Sequence, residues 1–420
     1  MTSNVRAVVL GAGFAGLETA FTLRARLGHR IQLTVVSDRD TFLFKPNTIY
    51  IPFGTDPSSL LIPLDRPMSK RDIELVSGSV RGVDPDARTV DVDGRTVGYD
   101  YLAVATGSGM RPEEVPGLAE WAETIWTPAE MASLGRRLEE LVAAGASNEQ
   151  RTVLFLIPPG NKCAGPLYEL VMMTETWLRR RKVRGRVVIR WATFESTFIQ
   201  VFGPKLHDVV TSEFARRGID GRTSAVVTSV EEGRAVFADG SEIAYDLLVS
   251  FPPYVAAVDY PVFDRDERGF VRTELGTRRV LGQERVFAPG DAGDFPVKQA
   301  FLAFLQADAV AATIAADVLG IEPDLAFDPV SMCVMEEFDR ATFAQVPLEL
   351  TGDPDRPVTV RADANGRYRV GVSPLWRLGK KMLGIYLPLR FRNGLPFHEG
   401  AGWKAMDFGL RGMSSVLARR

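Results

Sequence analysis

The 420-residue sequence predicts an α/β protein: two domains built on parallel sheets, followed by a C-terminal module with amphipathic helices. Three observations predict it. Strand-like and helix-like runs alternate from the start, with residues 7–10, a glycine turn, residues 17–27 and residues 31–36. The alternation returns in mid-chain at residues 151–157, 167–180 and 186–192. From residue 375 onward, large apolar residues recur at helical spacing among basic ones.

The first turn is Gly11-Ala12-Gly13-Phe14-Ala15-Gly16, a GxGxxG between a strand and a helix. Gly11 allows the tight turn, Gly13 lets the backbone approach a pyrophosphate, and Gly16 lets helix pack on strand. The phosphate then sits on the free N–H groups of the helix N-terminus. These elements mark a Rossmann-like dinucleotide-binding unit. Ser37 and Asp38 end its second strand, where one acidic residue usually takes the ribose; a shared role is expected. Tyr99-Asp-Tyr-Leu-Ala-Val-Ala105 is echoed by Tyr245-Asp-Leu-Leu-Val-Ser-Phe251. The echo predicts a second Rossmann-like domain inserted in the first. Residues 1–112 and 265–320 are assigned to the first domain, 113–264 to the second and 325–420 to the C-terminal module.

Composition narrows the function classes. The chain is 45% hydrophobic and 25% charged, as ordinary globular proteins are. Cys163 and Cys333 are its two cysteines, too few for a disulfide framework, so a reducing setting is expected. His29, His207 and His398 show no ligand spacing, and no metal site is expected. The sequence enters a strand directly after MTSNVR, so no signal peptide is expected. No apolar run reaches the ~18 residues of a membrane span. Residues 375–420 nevertheless carry nine Lys and Arg against two acidic residues, a charge of +7 on a body of −10. That asymmetry points to an anionic lipid surface, with no nucleic-acid partner. The stripe Trp403, Met406, Leu410, Met413 and Leu417 fits an interfacial helix, as do Arg377, Lys380 and Lys381 among the apolar residues before it. A peripheral protein on the cytoplasmic side of a membrane is expected, with homo-oligomerisation open.

The second turn is different. In Phe155-Leu-Ile-Pro-Pro-Gly-Asn-Lys-Cys-Ala-Gly-Pro-Leu-Tyr-Glu169 the glycines are disrupted. Pro158 and Pro159 lack N–H donors, and Lys162-Cys163 replaces small residues. A nicotinamide site is therefore expected to be lost. Cys163 precedes a helix, where the dipole and Lys162 are expected to favour its thiolate.

The segment Cys163-Ala-Gly-Pro-Leu-Tyr-Glu169 resembles the second-cysteine segment of sulfide:quinone oxidoreductases and of the flavoprotein subunit of flavocytochrome c sulfide dehydrogenase. Val330-Ser-Met-Cys-Val-Met-Glu336 stands where those families place the partner cysteine. Asp40-Thr-Phe-Leu-Phe-Lys-Pro46 resembles their loop beside the flavin, Ala105-Thr106-Gly107 their pre-closure strand, and Val286-Phe-Ala-Pro-Gly-Asp291 their late flavin strand. The resemblance implies a glutathione-reductase-like arrangement and FAD as cofactor. It assigns to FAD the turn Gly11 to Gly16 together with Ser37, Asp38, Lys45, Pro46, Val80, Ala105, Thr106, Gly107, Gly290, Asp291 and Lys298.

It further implies a redox pair, Cys163 and Cys333, with Glu169 moving protons and Lys298 facing the flavin's N1–C2=O edge. Hydrogen sulfide would be the donor, a membrane quinone the acceptor and polysulfide or sulfane sulfur the product, with Phe391 and Phe397 lining a quinone path. Two departures stand out. Residues 126–141 hold no third cysteine, and residues 192–200 hold no histidine. The two-cysteine pattern also suits a flavocytochrome-type subunit that reduces a cytochrome c. A type II NADH:quinone oxidoreductase shares the architecture, and a flavin-binding sensor or scaffold is the non-enzyme alternative.

Overall fold

The computed structural model describes residues 5–144, 150–354, 356–364 and 366–418; Arg419 and Arg420 of the basic tail lie outside them. The first sheet is parallel, in the order Val286–Phe287, Tyr101–Val104, Val5–Leu10, Ile31–Ser37, Glu74–Ser77. Its strands are covered on both faces, so they read as continuous apolar runs rather than alternating ones. Ala7, Val9 and Val35 meet the helices Phe14–Leu27 and Ala300–Leu319, while Val8, Leu10 and Val36 face the other way. The meander Val80–Asp84, Thr89–Val92, Arg95–Gly98 covers that second face.

The second sheet repeats this plan as Ala122–Thr124, Leu247–Ser250, Arg151–Ile157, Val187–Thr193, Ile219–Arg222. Val153 and Phe155 face the helix Gly165–Arg180; Leu154 and Leu156 face a meander of Val227–Glu231, Arg234–Phe237 and Glu242–Ala244. In each domain the meander leads into a Tyr-Asp pair. Asp100 accepts the Arg6 amide at 2.8 Å and pairs with its guanidinium. Asp246 accepts the Thr152 amide at 2.7 Å and pairs with Arg151. The echo in sequence is thus the same brace on the central strand of each sheet. Ser108–Met110 pairs with Tyr254–Ala256 where the chain passes between the two halves.

The C-terminal module is an antiparallel sheet followed by two helices. Val330–Glu336 pairs with Ala341–Leu350, setting Cys333 opposite Ala344, and Arg369–Ser373 lies on the other side of Ala341–Leu350. Fully buried Arg217, on the helix Gly203–Arg217, bonds Glu175, Glu337 and Asp339 and so ties the hairpin to the second domain. A guanidinium with carboxylates on several sides is a tolerable buried charge.

Ser373 caps the helix Pro374–Arg392 by accepting from the Leu375 amide. That helix buries Trp376, Leu387 and Phe391 and exposes Leu375, Leu378, Met382, Ile385 and Leu389. The stripe Trp403, Met406, Leu410, Met413 and Leu417 on Gly400–Leu417, expected at a lipid interface, is half-buried. Leu410, Met413 and Leu417 pack on the core around Phe343 and Trp376, and Trp403 packs on the first domain. Among the described helices, Ala300–Leu319 is long and apolar enough to cross a membrane, but most of it is core, packed on Phe14–Leu27.

Candidate active site

The first glycine turn has the geometry of an anion cradle. Gly11 has φ +101°, and a Cβ there would lie 2.5 Å from the Ala105 carbonyl oxygen. A Cβ on Gly16 would lie 1.9 Å from the Gly11 oxygen, so helix and turn approach as only glycine permits. Around Gly13 the space is open, and the helix Phe14–Leu27 has neither a side-chain cap nor an acidic residue in its first turn. Its free N–H groups are therefore left for an anion to approach past Gly13. Gly290, at φ +74°, sits against the methyl of Ala15 and bonds Gln306. Asp291 next to it accepts from Ser108 at 3.1 Å and faces Lys298 and Lys45. The donor set and the space fit a flavin dinucleotide.

The remaining flavin-assigned residues surround this turn. Ala12 and Phe14 pack at the first-domain core, with Phe14 against Phe42 and Phe304. Ser37 turns its hydroxyl back to Arg39, and Asp38 is exposed. Pro46 lies in the segment Lys45–Phe53, Val80 opens the meander, Gly107 has φ +78°, and Tyr260 donates toward Thr106 at 3.4 Å. Lys45 lies over the Trp126 ring, 2.9 Å from its centroid. Buried Lys298 donates to the Gly293 carbonyl and stacks over Phe270. Burial pushes both lysines down to about 7, against the pull of Asp291.

The second turn is braced by its own residues, although the helix Gly165–Arg180 is uncapped and the space at Gly165 is open. Asn161 accepts the Cys163 amide at 2.9 Å and donates to Phe251 and Pro252. Gly160 has φ +82°, with Arg268 and Pro253 about its Cα. Glu195 follows the second strand, where an acid would meet a ribose. It points inward instead, near the Tyr168 hydroxyl and bonded to Thr193 and the Gln200 amide. Burial pushes it up to about 7.

The two cysteine segments meet at one dipeptide. The Lys298 amide donates to the Lys162 carbonyl at 3.2 Å, one residue from Cys163. The Gln299 side chain donates to the Met332 carbonyl at 3.2 Å and accepts from Ser331, one residue from Cys333. Lys298 and Gln299 start the helix Ala300–Leu319, whose N-terminus has no side-chain cap. Both cysteines are free and half-buried, and each packs on the same core.

The expected thiolate activation is not what the environment gives. Burial pushes both thiols up, Cys333 to about 12. Cys333 and Asp291 add to the rise at Cys163, and the Gly165 amide opposes it weakly. Lys162 responds to the charges of Asp266, Arg268 and Glu267, and it is not among the main influences on the thiol. Desolvation outweighs the helix dipole here because the thiol lies inside rather than at an exposed helix tip.

Glu169 is buried beside the pair and ion-paired to Lys380 of the helix Pro374–Arg392. Arg377 on the same helix bonds buried Glu336 at 2.8 Å, which also accepts from Tyr50 at 2.8 Å. Two residues counted above toward lipid attraction are therefore directed inward. Sequence reasoning missed Glu336, Tyr50 and Tyr254, the last of which senses the charge of Cys163. Glu336, three residues after Cys333, was the one signal available. Phe391 and Phe397 are core residues of the first domain, packed against Phe42 and Phe304 respectively. Among the described residues, Glu18, Asp308 and His398 gather within 4.8 Å of one another, with Glu18 also accepting the Phe397 amide.

Comparison with known proteins agrees with this fold and cofactor. Residues 5–148 match the pyridine nucleotide-disulphide oxidoreductase family. A sulfide-quinone reductase of Aquifex aeolicus is 29% identical over 260 residues, covering 60% of this chain and 59% of that protein. A type II NADH:quinone oxidoreductase of Mycobacterium tuberculosis is 25% identical over 383 residues, covering 83% of this chain and 81% of the other. The solved structure of the Aquifex aeolicus sulfide:quinone oxidoreductase superposes with a TM-score of 0.82 at 23% identity, covering 97% of this chain and 96% of that one, which establishes the fold. The uncapped glycine turn, the duplicated sheets and these similarities together give the chain the fold and cofactor of an FAD-dependent oxidoreductase, similar to the sulfide:quinone oxidoreductases.

Proposed function

We propose that the protein oxidises sulfide at the Cys163–Cys333 pair and delivers the electrons to a membrane quinone. One observation carries this reading: Lys298 and Gln299 bind the backbone beside each cysteine and so bring both segments to the Ala300–Leu319 helix start, beside Asp291. In the working cycle, HS⁻ attacks one sulfur of a Cys163–Cys333 disulfide. That bond breaks, a persulfide forms on one cysteine, and the other leaves as thiolate. A second HS⁻ removes the outer sulfur as HSS⁻ and leaves a thiol. Closing the disulfide again releases two electrons and one proton. FAD, when bound, supplies the two-electron acceptor and passes the pair onward.

The residues divide the work. The Phe14–Leu27 N-terminus, Gly13 and Gly290 would hold the pyrophosphate and Asp291 the ribityl region. The uncapped Ala300–Leu319 helix, with Lys298, would favour negative charge on the ring. Glu169, near 7, would take the proton of ring closure. The exposed stripe Leu375, Leu378, Met382, Ile385 and Leu389, flanked by exposed Lys381 and Arg392, would seat the protein on an anionic lipid surface. Pro158 and Pro159, which lack N–H donors, and the Asn161 brace on Cys163 support sulfide over NADH as donor.

Anaerobic stopped-flow with sulfide and then NADH tests the reading. Sulfide should bleach the flavin, and Cys163→Ser and Cys333→Ser should each abolish the bleaching. Bleaching by NADH alone would establish the type II NADH dehydrogenase reading instead.

A further inference from the structure

Glu169 and Lys380 form an ion pair in which neither side chain is more than 12% exposed. They are 211 residues apart, on helices of different modules. A buried ion pair is rarely the most stable filling for such a space, because desolvation of two charges offsets most of their attraction. Its persistence beside a cysteine pair asks for another reason.

The groups facing Glu169 come from every element around it. Lys380 approaches from Pro374–Arg392. Glu336 approaches from Val330–Glu336, held by Arg377 and Tyr50. Cys163, Cys333 and Tyr50 all respond to the Glu169 charge. Burial lifts Glu169 to about 7; Lys380 is the largest influence pulling it down, and Glu336 adds to the rise. Lys380 alone among these partners is a cation in contact with the carboxylate.

We infer that Lys380 is a positioning residue of the active site: its ammonium holds the Glu169 carboxylate ionised and fixed beside the two thiols. The C-terminal helix thereby completes the proton-handling part of the site from outside both nucleotide-binding domains. The assignment of a catalytic proton to Glu169 rests on the function proposed above; the ion pair itself does not. Lys381, the next residue, is exposed and serves as the internal control.

The test is an infrared pH titration of the holoprotein, with Glu169→Gln identifying the Glu169 carboxyl band. Lys380→Met should move the Glu169 midpoint upward by roughly 1–3 pH units, the usual effect of removing an opposite charge in contact. Lys380→Arg should restore it, and Lys381→Met should leave it in place. The alkaline-going limb of sulfide-driven flavin reduction should move by the same amount. If Lys380→Met does not fold, Lys380→Gln keeps a hydrogen-bond donor without the charge and should give the same shift. An unchanged midpoint in the folded charge-removing variant overturns the inference. A protein that sulfide fails to reduce refutes the proposed function while leaving the infrared result readable.

Discussion

Cys163 and Cys333 differ from ordinary catalytic thiols in that their surroundings oppose ionisation. With Cys333 near 12, roughly one thiol in 10⁴ is thiolate at pH 8, and Cys163 lies further in the same direction. The reduced protein should therefore react with iodoacetamide at pH 8 orders of magnitude more slowly than a free cysteine, and both thiols should alkylate rapidly once it is unfolded. Mass-resolved alkylation rates check this, and fast labelling of the folded form would contradict it. Suppressed thiol ionisation suits the proposed cycle, in which sulfide supplies the nucleophile and the protein supplies a disulfide. Gly290 offers a second residue-scale test. At φ +74°, with the Ala15 methyl 2.7 Å from any added Cβ, Gly290→Ala should cost about 1–3 kcal/mol and lower the flavin bound per chain. Absorbance of purified protein and its melting temperature measure both effects. The cysteines were legible in sequence as a pair because both fall in recognisable segments. Their protonation was not, since burial depends on strands such as Val330–Glu336 that arrive from 170 residues away.

At the scale of elements, the second strand–turn–helix unit shares the fold of the first but has a different turn. Disruption of the glycines at residues 158–164 was visible in the sequence. The inward turn of Glu195 was not, because its partner Tyr168 lies 27 residues earlier on another element. Glu195 carries a stability consequence. Its folded value, raised from 4.5 to about 7, means the native state favours the protonated form. That contribution is fully present below about pH 4.5 and is lost as pH rises through 7. The difference corresponds to roughly 3 kcal/mol at most. Glu195→Gln, which keeps an acceptor for Gln200 without a charge, should raise the melting temperature at pH 8 and change it little at pH 4.5. Equal effects at both values would mean that folding leaves the Glu195 carboxyl unshifted. The echo of Tyr99-Asp100 in Tyr245-Asp246 made the duplicated sheet legible; the brace itself was not, because each aspartate bonds a strand 94 residues earlier in the chain.

At the scale of the whole molecule, the C-terminal helices reverse the orientation suggested by their pattern. The spacing of Trp403, Met406, Leu410, Met413 and Leu417 gave a stripe, but amphipathicity does not say whether an apolar face meets lipid or protein. Here that stripe covers the C-terminal sheet and the first domain. The apolar face proposed above for lipid is instead Leu375, Leu378, Met382, Ile385 and Leu389, with Ile385 71% exposed, while Phe408 and Val416 on Gly400–Leu417 are also exposed. Arg377 and Lys380, on the opposite face of the same helix, are held by Glu336 and Glu169. One helix thus presents apolar residues outward and cations inward, and its two faces make separable predictions. Leu378→Asp with Ile385→Asp removes apolar area from the outer face without touching the ion pairs. Each lost aliphatic side chain is worth about 1.5–3 kcal/mol when buried in an apolar phase, so binding to anionic vesicles should fall at least about tenfold. Fold and flavin content should stay as in the parent, because both positions already face water. Raising the salt should weaken what remains, through Lys381 and Arg392, whose contributions near anionic lipid are about 1 kcal/mol each. Vesicle co-sedimentation at two ionic strengths separates the apolar from the electrostatic part. Unaltered binding by the double variant would place the lipid contact elsewhere, and with it the route by which electrons leave the flavin.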